Sequence, residues 1–183
     1  MSKITAISGR ILYNSRGSKT IEVDVVTDGK FLGRVCAPSG ASVGKFEAVS
    51  FPNNSPEESL LILNENSNKF IGIDSSDLKQ VHDVIHYIDK TDNYAKIGGA
   101  CAFAITIAAT ESAAKFESKQ IYQMISNKSN LKFPFPLGNI LGGGAHAGPG
   151  TPDIQEILVA SIGAKTVRES IDMNLQVHKE LKK

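Results

Sequence analysis

Residues Thr20 to Thr27, TIEVDVVT, alternate without a break, so Ile21, Val23 and Val25 share one face of an extended chain and Glu22 and Asp24 the other. Asp28-Gly29 comes next, and a glycine there accepts the positive φ of a tight hairpin turn. The spacing predicts a partner strand over Phe31 to Ala37, stopped by Pro38, which has no N–H to give to a ladder. Upstream, Ile4, Ile7 and Ile11 are interrupted by Gly9, which reads as an irregular or bulged strand. The chain therefore opens with a three-stranded antiparallel sheet, apolar on one face, and that face needs a cover.

The cover follows directly. Ser55-Pro56-Glu57-Glu58 places a capping hydroxyl before a proline at the first helical position, with acids in the first turn. Leu60, Leu61, Leu63 and Phe70 supply its apolar side. A second start at Ser76-Asp77 leads into Leu78, Val81, Val84, Ile85 and Ile88, spaced three and four apart. Gly98-Gly99 precedes an Ala-rich segment reaching about Phe116; Ile105-Thr106-Ile107 could be strand, but the segment's length and alanine content favour a buried helix. The run Lys132-Phe133-Pro134-Phe135-Pro136 holds an extended backbone and marks a junction, dividing the chain into 1–133 and 134–183. After it come a short strand (Leu137 to Leu141), the glycine-rich GGGAHAGPG, a strand candidate over Ile154 to Ile162, and an amphipathic helix from Thr166 to Lys183. Two strands and one helix cannot bury both of their faces, so this second part reads as incomplete.

A net charge of +1 and the lack of an aromatic-interleaved basic patch exclude nucleic acid as an expected partner. The most apolar stretch, Ala100 to Ala109, is well short of the ~20 residues of a membrane span, and MSKITAISGR has no signal-peptide core. Cys36 and Cys101 have neither metal-ligand nor disulfide spacing and read as buried free thiols. A soluble cytoplasmic protein is expected.

Three segments could carry chemistry. Pro38-Ser39-Gly40-Ala41-Ser42-Val43-Gly44-Lys45 is either a flexible phosphate or metal loop, with serine hydroxyls for a hard cation, or an ordinary surface loop. It lacks Walker A spacing. In Gly142-Gly143-Gly144-Ala145-His146-Ala147-Gly148, a histidine among glycines at a strand end can meet a ligand, or can sit in a loop without a role. Asp153-Ile154-Gln155-Glu156 puts Gln155 and Glu156 on opposite faces at the start of an apolar strand, where a carboxylate is either used or faces solvent.

In this order these segments resemble enolase. The resemblance runs through Asn14-Ser15-Arg16-Gly17, TIEVDV, PSGASVG, Ile97-Gly98-Gly99-Ala100, GNILGGGAHAG, Gln155-Glu156 and Gly163-Ala164-Lys165-Thr166, and the wording GGGAHA looks like the archaeal branch. It implies an α+β cap domain joined to the start of an incomplete enolase-type α/β barrel. It implies reversible, Mg²⁺-dependent dehydration of 2-phosphoglycerate to phosphoenolpyruvate by the whole enzyme. Ser42 matches a loop ligand to magnesium, His146 the histidine that closes over substrate, Glu156 a glutamate acting on the departing hydroxyl, and Gln155 its neighbour at the substrate. Glu22 matches a subunit-interface position in a family that is usually dimeric.

Three departures stand out. Asn14 replaces the usual Asp, removing a charge beside Arg16; Val43 replaces Thr; and one extra residue lies between His146 and Glu156. A complete barrel needs ~250 residues, whereas fewer than fifty follow Pro136. By the resemblance, the first magnesium's acidic ligands, the second glutamate, the lysine base and the phosphate-holding arginine lie beyond Lys183. The 183 residues are accordingly expected to be inactive alone. The competing expectation is a truncated, non-catalytic binding or structural module.

Overall fold

β2 (Lys19–Thr27) forms the centre of a three-stranded antiparallel sheet, flanked by β1 (Ile4–Tyr13) and β3 (Phe31–Cys36). The predicted hairpin is present: Thr27 pairs with Phe31 around a turn in which Asp28 and Gly29 have φ of 53° and 65°. Ile21, Val23 and Val25 are fully buried; burying each such side chain stabilises by about 1.5–3 kcal/mol. The irregularity expected at Gly9 lies instead between Ile4 and Ala6, where the register to β2 shifts. Gly9 is needed for packing, since a Cβ there would sit 2.9 Å from Leu60 Cδ1 and 3.0 Å from Leu63 Cδ2.

The computed structural model describes residues 1–40, 43–126, 128, 130–144 and 147–182. It divides into two units, Met1–Asn127 and Lys128–Lys183. In the first, helices cover the apolar sheet face. α1 (Pro56–Asn66) is capped by the Ser55 hydroxyl, which accepts from the Glu58 N–H at 3.2 Å. Leu63 is fully buried while Leu61, expected on the apolar side, is 57% exposed; residues two apart on a helix point apart. α2 (Leu78–Ile88) is capped by Asp77, and α3 (Gly99–Phe116) is the predicted Ala-rich helix. Ala104, Ile105, Ala108 and Ala109 are fully buried. Small side chains let α3 lie so close to β3 that a Cβ at Gly33 would come 1.9 Å from the Ala108 carbonyl oxygen. Two short 3-10 turns (Pro52–Asn54, Ser67–Phe70) and α4 (Ile121–Ile125) complete this unit.

The outer sheet face is charged. Arg34 donates to Asp24 at 2.7 and 2.8 Å, and Arg10 bonds both Asp24 and Glu22. The Arg34 guanidinium holds the Asp24 carboxyl below its usual range against the opposing effect of burial, and Arg10 assists. Cys36 lies opposite Glu22 on this same face and is exposed, correcting the expectation of a buried thiol. Cys101, in α3, is fully buried, and desolvation pushes its thiol up to about 12.

In the second unit, β4 (Leu137–Gly142) and β5 (Glu156–Ala160) pair antiparallel and are followed by α5 (Val167–Leu181). The architecture is thus an α+β domain followed by strand, strand, helix, with no closed barrel among the described residues. Asn174 ties this unit together, donating to the Pro136 carbonyl at 2.9 Å and accepting from the Ser161 hydroxyl at 2.7 Å. Leu137, Ile154, Ile157, Leu158, Ile171 and Leu175 are all exposed. No helix among the described residues is long and apolar enough to cross a membrane.

Candidate functional site

The serine loop leaves β3 at a firm anchor. The Ala37 N–H donates to Ile21 O at 2.9 Å, and Ser39 accepts from Asn14 Nδ2 at 2.9 Å. Asn14 Oδ1 accepts from the N–H groups of Arg16 and Ser18 at 2.9 and 3.0 Å. One amide therefore shapes the β1–β2 turn and holds the start of the loop. The contact of Asn14 with position 16 runs to the backbone, so the Asp-to-Asn departure leaves this turn intact. Past the loop, Glu47 accepts from the Gly44 N–H at 3.0 Å, and the Val49 N–H donates to Asn93 O at 2.9 Å. Val43 is 79% exposed. Ser42 lies outside the described residues.

In the second unit the glycine loop is pinned to the segment entering β5. Gly142 pairs with Glu156, the Gly143 N–H donates to Gln155 O at 2.8 Å, and the Gly144 N–H donates to Pro152 O at 2.8 Å. Glycine is required at 143, where a Cβ would lie 2.4 Å from Ile154 O and 2.5 Å from Pro152 O. Gly144 has φ of 57°, a conformation that favours glycine. His146 lies outside the described residues. Gln155 falls just before β5 and Glu156 is its first residue, so the strand begins two positions later than the sequence pattern predicts. The segment Pro152 to Gln155 is held by the glycine backbone, and the regular ladder begins only after it.

Gln155 and Glu156 are both exposed. Glu156 accepts a 3.3 Å hydrogen bond from Asn139 Nδ2, a partner on β4 that sequence reasoning did not single out. Its signal was available: Asn139 is the one polar side chain in the strand LGNILG. An exposed carboxylate steered by an amide can take or give a proton to a bound molecule. Among the described residues no group of three His, Cys, Asp or Glu could hold a metal ion. Magnesium sites use one or two carboxylates together with substrate phosphates and waters; here Glu156 stands with an amide as its described partner, and these residues do not by themselves fit the ion.

Two family models match in succession, the enolase N-terminal domain over residues 4–125 and the enolase C-terminal TIM barrel domain over residues 130–183. This chain belongs to the enolase family. The enolase of Methanosphaera stadtmanae is 39% identical over 182 residues, covering 99% of this chain and 44% of its own length. That of Methanothermobacter thermautotrophicus is 38% identical over 182 residues, with the same coverage of 99% and 44%. That of Halorubrum lacusprofundi is 39% identical over 180 residues, covering 97% of this chain and 44% of its own. The chain thus spans less than half the length of these enolases. The boundary between the two family matches falls in residues 126–129, beside the division between the two units.

Proposed function

We propose that these residues form the cap domain and first barrel elements of a cytoplasmic, homo-oligomeric phosphopyruvate hydratase that interconverts 2-phosphoglycerate and phosphoenolpyruvate. Glu156 would protonate the departing hydroxyl, His146 would close over the substrate, Gln155 would contact it, and Ser42 would be a ligand to magnesium. The observation that supports this reading is the pinning of the glycine segment: hydrogen bonds from the Gly143 and Gly144 N–H groups hold the residues after β4 against the segment Pro152 to Gln155 that leads into Glu156. Asn139 restricts the Glu156 carboxylate, and restricting a proton donor lowers the entropy lost on reaching the reactive geometry.

The test is a chimera in which these residues replace the matching stretch of the Methanosphaera stadtmanae enolase. It should convert 2-phosphoglycerate, and Glu156→Gln should lower kcat by roughly 10²–10⁴-fold with KM changed little. An unchanged kcat in Glu156→Gln would remove Glu156 from the chemistry. The competing reading, a non-catalytic structural module, is favoured by one observation: among the described residues, the buried apolar core lies in the first unit. It predicts a folded chimera with no turnover.

A further inference from the structure

We propose a second, separate ligand site in the first unit, a basic concavity that takes the phosphate chain of a small molecule. The concavity, about 480 Å³, is lined by Asn66, Lys69, Tyr87, Lys90, Thr91 and Lys96 over a buried floor at Ile88. That volume lies within the ~300–1,000 Å³ usual for small-molecule sites. Among the described residues none of the three lysine ammonium groups forms an ion pair, whereas Lys79, Lys115 and Lys119 elsewhere do. No acid lines the concavity.

Charge compensation alone does not explain the cluster. The buried Asp89 carboxylate and the carboxyl end of α2 lie nearby, together about one and a half negative charges. Asp89 already accepts four hydrogen bonds, from the Thr91 N–H and hydroxyl and from the N–H groups of Lys96 and Ile97. Asp83 adjoins Lys69 and Tyr87 but is paired with Lys79, so three ammonium groups still exceed the acids left to balance them. Asp89 also fixes the backbone of the segment that carries Lys90, Thr91 and Lys96, so two of the lysines spring from an ordered base. Lys69 stands 5.1 Å from the centroid of the Tyr87 ring, which keeps the third near the same wall. Several flexible ammonium groups around one concavity suit a chain of phosphates better than one carboxylate, because each additional anionic oxygen finds its own cation.

The experiment is calorimetric titration of the 183-residue chain with inorganic tripolyphosphate at low salt. Binding is expected, weakening severalfold at about 0.15 M salt. The double variant Lys90→Gln/Lys96→Gln should raise Kd at least tenfold. Lys115→Gln/Lys119→Gln, whose lysines are paired with Glu111 and Glu117, should leave Kd unchanged. Should the double variant misfold, Lys69→Gln alone is expected to raise Kd severalfold. Glu156→Gln should leave Kd unchanged, which separates this site from the proposed catalytic one. Adenosine triphosphate is the second probe: equal affinity assigns the site to the phosphate chain, and tighter binding lost in Tyr87→Ala adds a stacked base. No binding of tripolyphosphate, equal loss in the Lys115/Lys119 control, or binding of single-stranded RNA alone would overturn the proposal.

Discussion

Asn14 Nδ2 donates to the Ser39 hydroxyl at 2.9 Å, joining the β1–β2 turn to the first residues of the serine loop. Because Asn14 Oδ1 is taken by the Arg16 and Ser18 N–H groups, the amide nitrogen must face the loop. Asn14→Ala removes all three bonds in a half-buried site and should destabilise the chain by about 1–2 kcal/mol. Asn14→Asp keeps the two turn bonds and can accept from the serine, so it should stay within ~0.5 kcal/mol of the native chain. Urea unfolding measures both. A neutral Asn14→Ala would mean that water replaces the tether without cost.

Asp89 should dominate the acid limb of stability. It is fully buried, which opposes ionisation, yet hydrogen bonds from Thr91, Ile97 and Lys96 hold its carboxyl below the usual range. A carboxyl with a depressed folded value contributes stability that is fully present above the ordinary unfolded value near 4. That stability is lost as pH falls through the folded value. Asp89→Asn replaces one acceptor oxygen with an NH₂ facing N–H donors, and should cost about 2–4 kcal/mol near pH 7. The difference between native and variant should start to shrink below about pH 4, as the unfolded chain's carboxyl takes up a proton, and keep shrinking until the native carboxyl is protonated too. Unfolding curves at several pH values check this; a gap independent of pH would show that shape, not charge, sets the cost.

The alternation of β2, the Asp28-Gly29 turn, the serine and aspartate caps and the Ala-rich helix were legible because each is set by residues adjacent in sequence. Gly9 was misread as a break because its reason is Leu60 and Leu63, about fifty positions away. Cys36 was misplaced because an apolar run near a strand end does not say which face each residue takes, and the register opposite Glu22 does. Asp89 carries no local signal in the sequence, because Lys96 and Ile97 fold back onto it from seven and eight positions away. At the candidate site the motif points to Gln155 and Glu156, and the structure places both, exposed, where β5 begins. Asn139 stands out as the polar residue of an apolar strand, but that its partner is Glu156, 17 positions away on β5, is not written locally.

The two units should differ in protection from hydrogen exchange. Segments 20–37 and 98–116 carry much of the buried core of the first unit, whereas in 137–183 the described buried side chains are the polar Ser170 and Asn174. Amides that open without exposing much apolar surface open at low cost. Exchange followed by mass spectrometry should show 137–183 far less protected than the other two segments. Asn174→Ala should lower its protection further while leaving 20–37 unchanged, because Asn174 bridges Pro136 and Ser161 within the second unit alone. Equal, strong protection of all three segments in a monomer would contradict this.

The 183 residues alone should not turn over 2-phosphoglycerate. The proposed reaction needs a base for the proton alpha to the carboxylate, several carboxylates for magnesium and an acid for the hydroxyl. Among the described residues only the acid candidate, Glu156, stands at the site, and no cluster of three potential metal ligands exists. Groups that act as a unit lose nearly all of their effect when most members are missing. Magnesium should accordingly bind only weakly in the absence of substrate, since such sites draw on carboxylates together with substrate phosphates. Formation of phosphoenolpyruvate, followed by its ultraviolet absorbance, should match a preparation of Glu156→Gln made in parallel, because any residual signal then comes from contaminating enzyme. Turnover present in the native chain and absent from Glu156→Gln would defeat the prediction. It would mean that these residues assemble a working site by themselves or through copies of one another.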